Sequence, residues 1–477
     1  MNYHENYQFF RKVKCFTHRV TIKIFLLYPQ NMEYFDYFVL IINLSLLLKK
    51  FIPKKIQLYV IYFSLIGFLT QYLIVGYKWQ YVLLYLLTAF HIINYYFNFK
   101  KRHIAIRTLS MFVLILIFTT ASLLIYYLPV PKFEIENKVY SVGYQEIFIE
   151  NNNRKQPKPF YELSNLSPDT NRQLLVDIYY PSNQETQLIQ LFKDAPSDWG
   201  ESIVNYLNRT WELTLPTFLL SHLTLTYFDV GVDIPNASDD FPVVIYTHGW
   251  AGEKIFASDQ LLELASQGYV VVALDHTGLA MFTDLPSGTI YNSGSTDASS
   301  NVYEVMYEMS LDIEDTVAYL IDRNYPADFT DISIIGHSTG GGSGYLYCEK
   351  NQCNSLILQD PFFTPLVAND IDITISTETY FIYSEDWYSG YEGGESLTEM
   401  DVLENYLTSS APFYTYYMTD SRHYDFVAFG AISPLAKYSF LKGSINYKDS
   451  LNVNNYFNLS SLRKENISEN QFLKIIP

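Results

Sequence analysis

Residues 332–342 read Ile-Ser-Ile-Ile-Gly-His-Ser-Thr-Gly-Gly-Gly, an apolar β-branched run that ends in Gly-x-Ser-x-Gly. Such a run fits a buried strand, and the small residues after it let the chain reverse at once into a helix, so this stretch sets strand, sharp turn and helix in that order. Ser338 sits where the backbone is strained. Gly336 and Gly340 leave room for strand and helix to close on each other. The Ser338 hydroxyl is therefore expected to stand clear at the carboxyl end of a sheet, as a candidate nucleophile.

The surrounding chain supplies that sheet. Tyr140–Glu150 and Leu174–Tyr180 read as first strands, and from residue 241 the order becomes regular. Phe241–Tyr246 is a strand ending in Thr247-His248-Gly249-Trp250, Lys254–Gln267 a helix, and Tyr269–Leu274 a strand ending in Asp275-His276. A polar loop runs through Ser300 to a helix over Val302–Arg323, and strands at Ser355–Leu358 and Thr379–Tyr383 follow the serine. Alternating strands and helices predict a mostly parallel sheet with helices on both faces, the α/β-hydrolase fold, over residues 132–477. Residues 182–240, rich in aromatic and leucine clusters, read as a helical excursion.

A serine hydroxyl needs a base, and the base an orienting carboxylate, and in this fold they follow in the order Ser, acid, His. His423 is the one histidine after Ser338. Two strand ends offer an acid: Asp360 after Ser355–Leu358, and Glu385 or Asp386 after Thr379–Tyr383. Spacing slightly favours the later pair. The oxyanion donors are expected to be the backbone N–H groups of Thr339 and Trp250. His248, His276 and His337 read as structural.

The chain before residue 131 is of another kind. Apolar segments at about Tyr34–Leu48, Ile56–Tyr77, Trp79–Phe99 and Thr108–Leu128 carry aromatic ends, and all but the first approach bilayer-spanning length. Residues 32–131 thus read as an all-α transmembrane anchor of about four helices in a multi-pass cell-membrane protein. Lys49, Lys50, Lys54 and Lys55 occupy one connection and Lys100, Lys101, Arg102 and Arg107 another, which puts these loops inside and everything after Leu128 outside. The basic residues of 1–31 oppose that orientation, and an origin of translation at Met32 would remove them. Within the segments, Asn43, Ser45 and His91 are polar, and the segments read as an anchor.

Residues 1–131 hold 14 Lys and Arg against 3 Asp and Glu, the remainder 18 against 47. An acidic remainder argues against nucleic acid as a partner. No metal or cofactor motif is present. Cys348 and Cys353 are expected to be free thiols unless the compartment is oxidising.

These pieces resemble the plasma-type platelet-activating factor acetylhydrolases and related bacterial esterases. The resemblance runs through Pro242–Gly249, Tyr269–His276, Gly336–Gly341, Leu356–Pro361, Phe381–Glu385 and Arg422–Phe426, in the family's order over roughly residues 140–430. It implies Asp360 as the acid, because that family places its triad acid directly after the strand following the elbow. Oxyanion donors at Trp250 and Thr339 are implied as well. The chain departs from the family in its membrane segments and in Thr339, where a bulkier residue is expected. A cofactor-free, calcium-independent serine hydrolase of short acyl esters, including those of phospholipids, is the expectation. Two alternatives stand beside it: an acyltransferase or esterase for a small soluble or cell-wall ester, and an inactive sensor or scaffold on a hydrolase fold.

Overall fold

The computed structural model describes residues 32–48, 51–97, 104–195, 197–238, 240–294, 301–390, 397–439 and 441–476. Residues 1–31, and with them the basic tail, lie outside the described residues, as do Lys49, Lys50, Lys100, Lys101 and Arg102. The described chain forms two compact units, one of residues 32–75 and 81–122, the other of residues 76–80 and 123–476.

The apolar segments of the first unit fold as helices: α1 (Met32–Leu47), α2 (Lys54–Ile74), α3 (Val82–Phe97) and α4 (Ile104–Tyr127), whose last turn belongs to the second unit. α2 and α4, with 21 and 24 residues, are long and apolar enough to cross a membrane. α1 and α3 have 16 residues each. Asn43, Ser64 and Thr88 meet inside the bundle, where Thr88 Oγ1 donates to Asn43 Oδ1 at 3.0 Å and the two hydroxyls lie 3.0 Å apart. Three polar side chains from three apolar helices thus satisfy one another, which is how polar groups are held between helices of this kind. His91 is buried beside Phe90, and Ser45 donates back to the Ile41 carbonyl.

The second unit is built on a twelve-stranded sheet. In chain order its strands are β1 (Lys132–Phe133), β2 (Ser141–Lys155), β3 (Asn171–Ser182), β4 (Gln187–Gln190), β5 (Tyr227–Val232), β6 (Pro242–Thr247), β7 (Val270–Asp275), β8 (Asp328–His337), β9 (Ser355–Gln359), β10 (Thr379–Ser384), β11 (Phe413–Met418) and β12 (Leu473–Ile475). They lie in the order β1-β5-β2-β3-β7-β6-β8-β9-β10-β11-β12, with β4 beside β5. From β7 to β11 every pairing is parallel, while β3 runs antiparallel to both its neighbours.

Strand alternation sorts the core into two layers. Val244, Tyr246, Val271, Ala273, Ile335 and Ile357 face one side, where Leu261, Leu264 and Phe457 pack from α6 (Ser258–Ser266) and α10 (Tyr447–Leu462). Val243, Ile245, Val272, Ile334, Leu356 and Leu358 face the other, against Met306, Ile313 and Tyr345 of α7 (Val302–Asp322) and α8 (Thr339–Lys350). The strand ends between these layers carry the polar residues that the sequence marks out.

Two sequence expectations need correction. Residues 182–240 are not wholly helical: beside α5 (Trp199–Thr210) they contribute β4 and β5, because β4 pairs with β5 and β5 in turn finds partners in β1 and β2, well before it in the chain. The loop after His276 also carries a hairpin, Phe282–Leu285 with Gly288–Tyr291.

Beside the end of β7, Asp312 of α7 is fully buried and accepts from Arg172 Nε at 2.8 Å, Arg172 Nη2 at 2.5 Å, Arg154 Nη1 at 2.7 Å and His276 Nδ1 at 3.0 Å. Burial pushes its carboxyl up, but the two guanidinium groups outweigh that and hold it well below the usual carboxylate range. Removing one partner of a buried pair strands the other charge, so Asp312→Ala is expected to cost about 3–5 kcal/mol. Thermal and denaturant unfolding of the variant beside the wild-type protein measures this, and a change within experimental error would mean that Arg172 finds another counter-charge.

Candidate active site

Ser338 follows β8 with φ 56° and ψ −125°, a conformation that residues other than glycine seldom adopt. Its neighbours show why. A Cβ on Gly340 would stand 2.2 Å from the Thr247 carbonyl oxygen, and one on Gly249 would stand 2.7 Å from Ser338 Cβ. The elbow can therefore close on the loop after β6 only with glycine at both positions. Ser338 N–H donates to the Gln359 carbonyl at 3.0 Å, and its own carbonyl accepts from Gly341 and Phe362 at 2.8 and 3.0 Å.

The loop after β6 is fixed as tightly. His248 Nδ1–H donates to the Gly249 carbonyl at 2.7 Å, which also accepts from Gly252 N–H at 3.0 Å, and His248 Nε2 accepts from His276 N–H at 3.1 Å. Burial pushes the His248 imidazole down to about 3, so it stays neutral and keeps this tautomer. The Trp250 side chain packs against the cluster of Phe160, Leu163, Leu279, Val305 and Met309. Thr339 opens α8. The elbow and the loop that carries Trp250 thus touch at Ser338 and Gly249.

Asp360 and His423 come together from residues 63 apart in the chain. Asp360 follows β9 with φ 43° and is fully buried, and its Oδ2 lies 3.1 Å from His423 Nδ1. Its other oxygen accepts from Ser384 N–H at 2.6 Å. Burial pushes the Asp360 carboxyl up to about 7, against the pull of the Ser384 N–H, and burial pushes the His423 imidazole down to about 3. His337, the residue before the serine, has its ring 4.6 Å from the His423 ring, and its Nε2–H donates to the His423 carbonyl at 3.1 Å. Among the described residues no hydrogen bond joins Ser338 Oγ to His423; catalytic bonds of this sort are often long until substrate is bound.

Glu385 and Asp386 lie elsewhere. They open a short helix, α9 (Glu385–Tyr388), that clamps the His423 loop. Asp386 pairs with Arg422 Nε at 3.1 Å, Glu385 Oε2 accepts from Asp420 N–H at 2.6 Å, and Glu385 N–H donates to Ser421 Oγ at 3.3 Å. Asp425 anchors the far end of the same loop, accepting from Arg422 N–H at 2.9 Å and Gly443 N–H at 2.7 Å and pairing with Lys442. Sequence reasoning passed over Ser384 and Trp387. The first had a legible signal, a serine at a strand end ahead of two acids, which is a helix N-cap pattern. The second had none.

Cys348 and Cys353 form a disulfide, with Cα atoms 5.4 Å apart, where free thiols were expected. The reason is local: α8 ends at Lys350 and Asn351 is extended, so the chain folds back and brings the second cysteine to the first.

The family profile described as platelet-activating factor acetylhydrolase, isoform II, matches residues 163–284. The platelet-activating factor acetylhydrolase of Cavia porcellus is 24% identical over 339 residues, which covers 63% of this chain and 74% of that protein. The structure of a ferulic acid esterase from Streptomyces cinnamoneus superposes with a TM-score of 0.56 at 15% identity, covering 73% of this chain and 99% of the other. The resemblance to platelet-activating factor acetylhydrolases therefore stands on sequence, and the fold is that of an α/β-hydrolase. Both relatives are ester hydrolases, and that coarse class is what the comparisons support for this chain.

Proposed function

We propose that this α/β-hydrolase is a membrane-anchored serine esterase that cleaves short acyl esters of phospholipids or related lipids through an acyl-enzyme on Ser338. The observation that carries the reading is the hydrogen bond between the fully buried Asp360 and the part-buried His423, whose ring lies against that of His337, the residue before a serine held at φ 56°. Asp360 accepts from His423 Nδ1–H and leaves Nε2 free as a base. As Ser338 Oγ attacks the ester carbonyl carbon, Nε2 takes the hydroxyl proton, and the oxygen that gains charge accepts from Trp250 and Thr339 N–H. Collapse breaks the bond to the leaving alcohol, which receives the proton from Nε2. Water then attacks the acyl-enzyme with the same base, releases the carboxylic acid and restores Ser338.

In this reading residues 32–131 span the bilayer with four helices and the catalytic unit lies outside the cell. Two observations support it. A disulfide suits an oxidising compartment. Residues 76–80 and those after 128, which four crossings put on the same side, fold into one unit.

The test is a rate profile over p-nitrophenyl esters of increasing chain length, followed by short- and long-chain phosphatidylcholines. Rates are expected to fall beyond the shortest acyl groups. A rise with chain length would make the enzyme a long-chain lipase, and no turnover of any ester would remove the reading. Because the pair works with a single proton, kcat/KM should hold above about pH 7 and fall tenfold per unit below it, as Asp360 and His423 together take up a second one.

A further inference from the structure

We infer that Trp387 is a positioning residue for His423, the flat surface that holds the base in line between Asp360 and Ser338; this rests on the esterase reading above. The indole and imidazole rings are stacked, with centroids 4.5 Å apart and planes 8° from parallel. The Cβ–Cγ bond and the hydrogen bond to Asp360 hold one edge of the imidazole and leave the ring plane able to tilt about that edge. A parallel aromatic surface removes that freedom.

The stack closes a circuit. Asp360 Oδ1 accepts from Ser384 N–H at 2.6 Å, and Ser384 Oγ caps α9 by accepting from Trp387 N–H at 3.4 Å. Trp387 covers His423, and His423 Nδ1 returns to Asp360 Oδ2 at 3.1 Å. The same indole meets the Phe362 ring edge-on at 6.2 Å, and Phe362 N–H donates to the Ser338 carbonyl. Acid, base and nucleophile segments are thus all tied to one indole. The His337 ring lies against His423 as well, at a 33° tilt, so the imidazole has aromatic neighbours in addition to its acid. When the imidazole takes the serine proton, it becomes a cation over the face of an indole, which is an attractive arrangement.

The experiment uses the full chain in detergent. Fluorophosphonate labelling of the wild-type protein, lost in Ser338→Ala, first tests the esterase reading by itself. Trp387→Ala is then expected to lower kcat by about 10–100-fold with KM nearly unchanged, since misplacing a reacting group by an ångström costs up to this much. Trp387→Phe, which keeps a flat ring, should recover most of the loss. Trp387→Leu, which fills space without a flat face, should not. In a His423→Ala background the Trp387→Ala substitution should change nothing further, whereas a merely structural loss would persist there. If the wild type is labelled and Trp387→Ala turns over at the wild-type kcat, or Leu rescues as well as Phe, the inference is overturned and the esterase reading stands. An unlabelled wild type removes both.

Discussion

Ser338→Ala is expected to abolish fluorophosphonate labelling and to lower ester turnover by about 10⁵–10⁶-fold, the scale on which removal of a serine nucleophile acts. The prediction is sharp because, among the described residues, the Ser338 hydroxyl holds no hydrogen bond that the fold depends on. The backbone of Ser338 makes the hydrogen bonds that hold the elbow, to Gln359, Gly341 and Phe362, and alanine keeps all of them. Alanine carries a Cβ like serine and sits in the same strained conformation at the same cost. The thermal midpoint should therefore hardly move while activity disappears. His423→Ala should reach a similar floor, and the double variant should go no lower, because the two groups act in one step and their losses do not add. Undiminished labelling of the serine variant would mean that another hydroxyl is the nucleophile.

Part of the fold was legible in the sequence, and what was missed has more than one physical cause. The central strands β6 to β10 announce themselves, because a strand buried on both faces must be apolar throughout, and Val270–Asp275 and Ser355–Gln359 fall within a residue of where the pattern puts them, whereas β11, β12 and the hairpin after His276 were not read. The strands β4 and β5 were hidden, since the half-exposed edge strand β4 does not keep that pattern and β5 takes its place only by pairing with β1, β2 and β4. The cysteine pair turned on one extended residue after a helix, a local backbone choice that composition does not encode. The stack of Trp387 on His423 joins side chains 36 residues apart and has no counterpart in spacing. The acid was ambiguous for a similar reason. Asp360 and Asp386 each follow a strand end, and only the packed structure separates the carboxylate beside the imidazole from the one beside Arg422.

That separation makes Asp360→Asn the second large effect, a loss of about 10⁴-fold in kcat, as a wrong imidazole tautomer produces. The hydrogen bonds dictate the mechanism of failure. Ser384 N–H points at Oδ1 from 2.6 Å, so an asparagine must offer its carbonyl oxygen there and turn its amide N–H₂ toward His423. Nδ1 must then accept instead of donate, the imidazole proton moves to Nε2, and the base of the proposed mechanism can no longer take a proton. Asp386→Asn removes only the charge that pairs with a half-exposed Arg422, a contact worth little by itself, and should cost less than about tenfold. Comparing kcat of the two variants decides between them. Collapse in Asp386→Asn with near-normal turnover in Asp360→Asn would transfer the role of acid to α9, and would require the helix that now clamps the histidine loop to reach the imidazole instead.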